Sequence, residues 1–276
     1  MASETHFHIP DGPFDAQLRF MDGASRVGVI VLGGSLGGIA EHGVRWYAEG
    51  GFPALGVAYF GTTNTPDHLN MIPLEYFDAP ISWFRSNSIA PIDSLAIVGH
   101  SRGSELALLL ASTRSDVDAV IATMPSGVVF QGAVSAAKPE SAWSIGGDPV
   151  PYVRYPQGYE VPTNRHDRNL YVESMKQYDM VNRATIPVER IRGPVLLISG
   201  AQDLAWPSTE FAERIISRLT HHQFPHSYKH ISYLNAGHTL NEWFMVGGTE
   251  AGNREARLGH LEAAFSLLRS LESPSR

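Results

Sequence analysis

Gly99-His100-Ser101-Arg102-Gly103 lies between an apolar run, Leu95-Ala96-Ile97-Val98, and a helix-like run from Ser104 to Leu110. Apolar strand, G-x-S-x-G, then helix is the sequence form of a sharp turn that lifts a serine hydroxyl above the end of a sheet. The serine in such a turn has a strained backbone. Strand and helix pass so close that the flanking positions have no room for a Cβ, hence the two glycines. A turn of this kind demands a buried strand before it and a packed helix after it, so it constrains the architecture well beyond five residues.

The rest of the chain follows that demand. Val27 to Leu32, Ala54 to Phe60, Leu95 to Gly99, Asp118 to Thr123 and Pro194 to Ser199 are continuous apolar runs, as expected of strands buried on both faces. Phe14 to Phe20 alternates apolar and polar residues like an edge strand, and Ser227 to Leu234 reads as the last strand. Helices are expected over His42–Gly50, Leu74–Asn87, Thr209–Leu219 and Asn253–Leu271. Strands alternating with helices predict an α/β fold, with a mostly parallel central sheet flanked by helices. The 276 residues are read as one domain, with no internal repeat and no linker. Residues 127–190 break the rhythm. They are rich in Pro, Gly, Tyr and Ser, with a short helical candidate near Leu170–Tyr178. An irregular connection this long is expected to be a lid or substrate-shaping insertion, with a passive surface excursion as the alternative.

A serine hydroxyl becomes a nucleophile only when a base takes its proton, and the base needs an acid to orient it. In this architecture the partners follow in the order Ser, Asp/Glu, His. Asp203 is the only carboxylate in the turn Gly200-Ala201-Gln202-Asp203 after strand 194–199, and His238 follows the last strand in Asn235-Ala236-Gly237-His238. Both loops lie at strand C-terminal ends, where α/β folds build their sites. The oxyanion formed on attack should receive the backbone N–H of Arg102, the residue after Ser101. A second donor should come from Gly33-Gly34-Ser35-Leu36-Gly37-Gly38, with Leu36 first choice and Ser35 the alternative. That loop has neither Gly-Lys-Ser/Thr nor G-x-G-x-x-G, so a phosphate cradle is not favoured.

Composition removes other classes. With no cysteine there is no disulfide, thiolate metal site or cysteine nucleophile. A net charge of −7 without a Lys/Arg cluster disfavours nucleic-acid binding. His222, His226 and His230 recur every fourth residue, but Pro225 interrupts any helix, so no metal is expected. No cofactor is implied. Trp206 and Trp243 are read as core or pocket-wall residues, and Arg102 as either an attractor for a charged acyl carrier or an exposed helix residue. No stretch is long and apolar enough to span a bilayer, and Met1 to His6 shows no signal peptide, so a soluble cytoplasmic protein is expected. The oligomeric state is left open, a homo-oligomer included.

Longer motifs extend this reading. Leu32-Gly33-Gly34-Ser35-Leu36-Gly37-Gly38, Ala58-Tyr59-Phe60-Gly61, Ile72 to Phe77, Gly99 to Ala107, Pro149 to Val153, Ile186 to Ile191, Leu197 to Asp203, Trp206-Pro207-Ser208 and Ala236-Gly237-His238 occur in one order. Together they resemble the C-terminal catalytic domain of acyl-CoA thioesterases and bile-acid-CoA:amino acid N-acyltransferases, close to the dienelactone hydrolases. The resemblance implies the α/β-hydrolase fold, with Ser101 as nucleophile, Asp203 as orienting acid and His238 as base. Vertebrate members carry an additional N-terminal β-sandwich, and this chain resembles the stand-alone catalytic domain. The amino acid acyltransferases use a cysteine nucleophile, and the serine here shifts the expectation towards hydrolysis. The expected activity is cleavage of a small-molecule acyl thioester or ester. Acyl transfer to an amine or alcohol, and non-catalytic ligand binding on a hydrolase scaffold, are the alternatives.

Overall fold

A computed structural model of the chain describes residues 4–9, 14–87, 89–133, 139–159 and 166–272. The first half runs β1 (Glu4–Ile9), β2 (Asp15–Met21), β3 (Val27–Leu32), α1 (Glu41–Glu49), β4 (Ala54–Ala58), β5 (Ile72–Pro73), α2 (Asp78–Ser86), β6 (Ser94–His100), α3 (Arg102–Thr113) and β7 (Ala119–Thr123). The second half runs β8 (Trp143–Ile145), β9 (Asp148–Pro149), α4 (Arg168–Ser174), α5 (Tyr178–Ala184), β10 (Val195–Gly200), α6 (Ser208–His221), β11 (Tyr228–Tyr233) and α7 (Glu250–Ser270). Eight strands form one sheet in the order β1-β2-β4-β3-β6-β7-β10-β11. β1–β2 and β2–β4 pair antiparallel and the other pairs are parallel. This is the mostly parallel, helix-flanked sheet that the apolar runs predict.

The pleat divides each buried strand between two cores. Ile30 and Leu32 of β3 face one core, while Val27, Val29 and Val31 face the other. β6, β7 and β10 split in the same way. α2, α3 and α6 cover the first face, and α1 and α7 the second. α3 carries the run Leu106 to Leu110, which is buried throughout. A helix apolar on all sides must be enclosed, and the chain after β7 supplies the enclosure.

Three departures from the sequence reading have local causes. β1 was not anticipated; it pairs with β2 at the sheet edge. The helix expected from Leu74 begins as a 3₁₀ turn over Leu74–Phe77 before α2, with Pro80 in α2's first turn, where its missing N–H costs no helical bond. The helical candidate near Leu170–Tyr178 is two short helices, α4 and α5, with a break between them. Within 127–190, residues 134–138 and 160–165 lie outside the described residues. The described part is packed. Ala142, Trp143 and Val150 join the first core, and Val128, Phe130, Val153, Val181 and Ala184 form a separate cluster with Trp206 and Phe211.

Candidate active site

Ser101 joins β6 to α3 with φ 56° and ψ −121°, in the left-handed region that non-glycine residues rarely enter. A Cβ on Gly99 would lie 2.0 Å from the Gly103 carbonyl oxygen, and one on Gly103 would lie 2.3 Å from that of Gly33. Strand, helix and the loop after β3 therefore touch backbone to backbone. The Ser104 hydroxyl secures the turn, donating to the Ser101 carbonyl at 2.6 Å and to Met124 O at 3.1 Å.

The structure brings Ser101, His238 and Asp203 into one relay. His238 Nε2 lies 2.8 Å from Ser101 Oγ, and His238 Nδ1 lies 2.8 Å from Asp203 Oδ2. A carboxylate only accepts, so Nδ1 carries the proton and the Nε2 lone pair faces the serine hydroxyl. Asp203 Oδ1 accepts the backbone N–H of Ala205 at 2.9 Å and of Trp206 at 3.1 Å, which fixes the carboxylate's orientation. The histidine loop is held as firmly. His238 N–H donates to Val246 O at 2.9 Å, and Gly237 N–H donates to Asn253 Oδ1 at 2.7 Å. Asn253 lies in the first turn of α7, and its amide also donates to Gly247 O. The sequence reading missed Asn253, because helix-start asparagines are common and its partner is 16 residues away. All three relay residues are buried: Ser101 is 6% exposed, Asp203 2% and His238 8%.

The loop after β3 reaches the same point. A Cβ on Gly34 would lie 3.2 Å from the Ser101 Cβ and 3.7 Å from its Oγ. The Tyr59 hydroxyl donates to Gly33 O at 2.6 Å, and Gly38 N–H donates to Phe60 O at 2.8 Å, so the loop's course is set from the two residues that follow β4. Ser35 and Leu36 follow Gly34 directly, and the Leu36 side chain is exposed. Arg102 is the first residue of α3, where a backbone N–H has no helical carbonyl to bond.

The Arg102 side chain is a correction: it is neither exposed nor free to attract a carrier. It is buried, bonding Glu105 Oε2 at 2.8 Å, Phe130 O at 3.2 Å and Gln131 O at 3.0 Å. Burial alone would lower its pKa, but the Glu105 carboxylate beside it raises it. Glu105 Oε1 accepts Trp143 Nε1 at 2.7 Å and Phe130 N–H at 3.4 Å. The pair thus ties the first turn of α3 to Phe130, Gln131 and Trp143. Trp243 is a second correction: it is 79% exposed, with the Arg257 guanidinium 5.7 Å from its ring centroid, and forms no core. Trp206 is buried as expected, its ring centroid 5.9 Å from that of His238. His100 also packs against His238, 5.2 Å between ring centroids, and burial pushes its pKa down to about 3, with His238 adding to the effect. His230 lies on β11, bonded to Ser199 Oγ at 2.7 Å. Among the described residues no group of three His, Asp or Glu gathers to hold a metal, and no helix is long and apolar enough to cross a membrane.

The family described as BAAT / Acyl-CoA thioester hydrolase C terminal matches residues 72–245, more than half of the chain. Mouse acyl-coenzyme A thioesterase 1 is 27% identical over 195 residues, which cover 71% of this chain and 44% of that protein. Mouse acyl-coenzyme A amino acid N-acyltransferase 1 is 25% identical over 213 residues, 77% of this chain and 48% of that protein. The chain spans about half the length of these curated relatives. Among solved structures, a putative dienelactone hydrolase from Klebsiella pneumoniae superposes with a TM-score of 0.60 at 18% identity, covering 96% of this chain and 99% of that one. An esterase of Pyrococcus furiosus does so with a TM-score of 0.58 at 12% identity, covering 98% and 92%. Both likenesses are of α/β-hydrolase fold.

Proposed function

The chain belongs to the BAAT / acyl-CoA thioester hydrolase C-terminal family, and from that premise we propose that it is a serine hydrolase, cleaving an acyl thioester or ester through an acyl-serine intermediate. The observation that carries the reading is the unbroken relay from Ser101 through His238 to Asp203, with both contacts at 2.8 Å. His238 Nε2 takes the hydroxyl proton as Ser101 Oγ attacks the acyl carbonyl. The imidazolium so formed faces the Asp203 carboxylate. The tetrahedral oxyanion is held by the backbone N–H of Arg102 and of Leu36, with Ser35 as the alternative donor. Collapse expels the thiol or alcohol, which receives the proton from His238. Water, deprotonated by the same nitrogen, then releases the acid.

Residues 127–190 complete the acyl side of the site within a single domain. Support comes from Phe130 and Gln131, which bond Arg102 and Glu105, and from the contact of Phe130 with Phe211, 5.7 Å between centroids. Some relatives are named as thioesterases and one as an N-acyltransferase. Hydrolysis is favoured here because the chain places serine, not cysteine, at the elbow. A fluorophosphonate probe followed by mass spectrometry should label Ser101, and a panel of thioesters and esters should be hydrolysed with loss of turnover in Ser101→Ala. Labelling elsewhere, or an active Ser101→Ala, would sink the assignment. Faster acyl consumption with an added amine, giving an amide, would make the protein an acyltransferase.

A further inference from the structure

The described chain has two fully buried tryptophans with opposite circumstances. Trp143 Nε1 donates to Glu105 at 2.7 Å. Trp206 is 1% exposed, and its indole N–H meets no acceptor among the described residues. A buried donor left unmade costs about 1–3 kcal/mol, so an orphan beside a reactive centre calls for an explanation.

Trp206 is also fixed in place. Its backbone N–H holds Asp203 Oδ1 at 3.1 Å, and its ring stands nearly perpendicular to His238 at 83°. It packs edge-on against Tyr171, 5.2 Å between centroids, and against Phe211, 5.8 Å. The surroundings are polar for a buried cluster. The Tyr171 and Tyr155 hydroxyls lie 3.5 Å apart, at the outer limit of a hydrogen bond, and burial raises both phenols above their ordinary value. The Arg102 guanidinium is near enough to both phenols to act on their ionisation.

We propose that the Trp206 indole N–H is a specificity donor, bonding an acceptor oxygen that the acyl group carries within a few bonds of its reacting carbonyl. The preferred substrates are then thioesters or esters of hydroxy- or oxo-acids, not plain alkanoyl compounds. The inference rests on the hydrolase reading, since it places the acyl carbonyl at Ser101, one ring away from Trp206.

The test compares 3-hydroxyacyl and 3-oxoacyl thioesters with unsubstituted thioesters of equal chain length. The parent should favour the substituted compounds in kcat/KM, and Trp206→Phe, which keeps an aromatic ring and removes the N–H, should shrink that preference about tenfold, the worth of one hydrogen bond. An unchanged preference, or equal losses on both series, overturns the inference and leaves the hydrolase reading standing. A second measurement needs no variant to fold. In the ¹⁵N-labelled parent, 3-hydroxy acids should shift the Trp206 indole N–H resonance downfield while unsubstituted acids leave it in place. An unmoved resonance refutes the proposal even if no thioester is turned over, and failure of the hydrolase reading shows separately as unlabelled Ser101.

Discussion

Replacing three glycines near Ser101 by alanine, one at a time, separates backbone contact from catalysis. At Gly103 the new methyl would meet Gly33 O at 2.3 Å and Leu32 O at 2.5 Å, well inside the 3.0 Å that real Cβ contacts respect. Both obstacles are backbone of β3 and its loop, so no side chain can swing away and α3 must lift off the sheet. Overpacking of this kind costs about 1–3 kcal/mol, and with backbone on both sides the upper end applies. At about 2–4 °C per kcal/mol for a domain of this size, the melting midpoint should fall by roughly 6–12 °C. The lift also carries Ser101 away from the loop that holds Gly34, and a misplacement near 1 Å costs about a hundredfold in kcat. At Gly33 a methyl finds Ala40 Cβ at 3.6 Å and Gly38 O at 3.7 Å, ordinary contact, so Gly33→Ala should melt with the parent and keep its activity. At Gly34 the methyl grows to 3.2 Å from Ser101 Cβ, so Gly34→Ala should lose kcat at nearly full stability. Thermal melts and turnover of an activated thioester read the series. A Gly103→Ala protein that melts within about 2 °C of the parent would refute the steric reasoning.

Asn253→Ala strands the buried Gly237 N–H that its Oδ1 now accepts at 2.7 Å. We expect a loss of about 1–3 kcal/mol in urea unfolding and a fall in kcat with KM unmoved, since only the His238 loop is loosened. Tyr59→Phe removes the 2.6 Å bond to Gly33 O; kcat should fall several-fold while fluorophosphonate still labels Ser101, and an unaltered kcat would show that the loop holds its course without this bond. Burial lowers His260 from 6.5 to about 4, so between those pH values the unfolded chain takes up a proton that the folded one refuses. Stability from this group is complete above pH 6.5 and is lost as the pH falls towards 4, with a slope of up to about 1.4 kcal/mol per pH unit. His260→Gln should flatten urea-midpoint profiles by that amount in this window, and parallel profiles would contradict the assignment.

The parts of the site legible in the sequence are those set by local chain geometry. The elbow announces itself because two glycines and a serine at fixed spacing meet a steric demand that few other sequences meet. Asp203 and His238 follow from their position after apolar runs, since strands of a parallel sheet deliver their ends to one edge. Asn253 and Tyr59 were invisible for the opposite reason. An asparagine near a helix start or a tyrosine just after a strand has many uses, and only the fold shows that one holds Gly237 and the other Gly33.

Arg102 marks the boundary between these cases. Arg102 and Glu105 stand three apart in a helix, the spacing of an ordinary surface pair. In sequence nothing separates them from Lys176 and Glu173, which are three apart and exposed. What separates them in space is Phe130, Gln131 and Trp143, which reach the first turn of α3 with two carbonyl oxygens and an indole N–H. An ion pair enclosed this way loses its water, so its donors and acceptors must turn to protein, and here they meet Phe130 O, Gln131 O, Phe130 N–H and the Trp143 indole. The pair therefore couples the strained elbow to Phe130, Gln131 and Trp143. The irregular sequence of residues 127–190 hides the packing within it: Phe130, Trp143 and Val153 lie far apart in the chain with no shared period, yet each is fully buried. Trp143 joins the core that the α3 leucines build, while Phe130 and Val153 pack with Trp206 and Phe211, so the described residues of this stretch are ordered by two cores that no local sequence period announces.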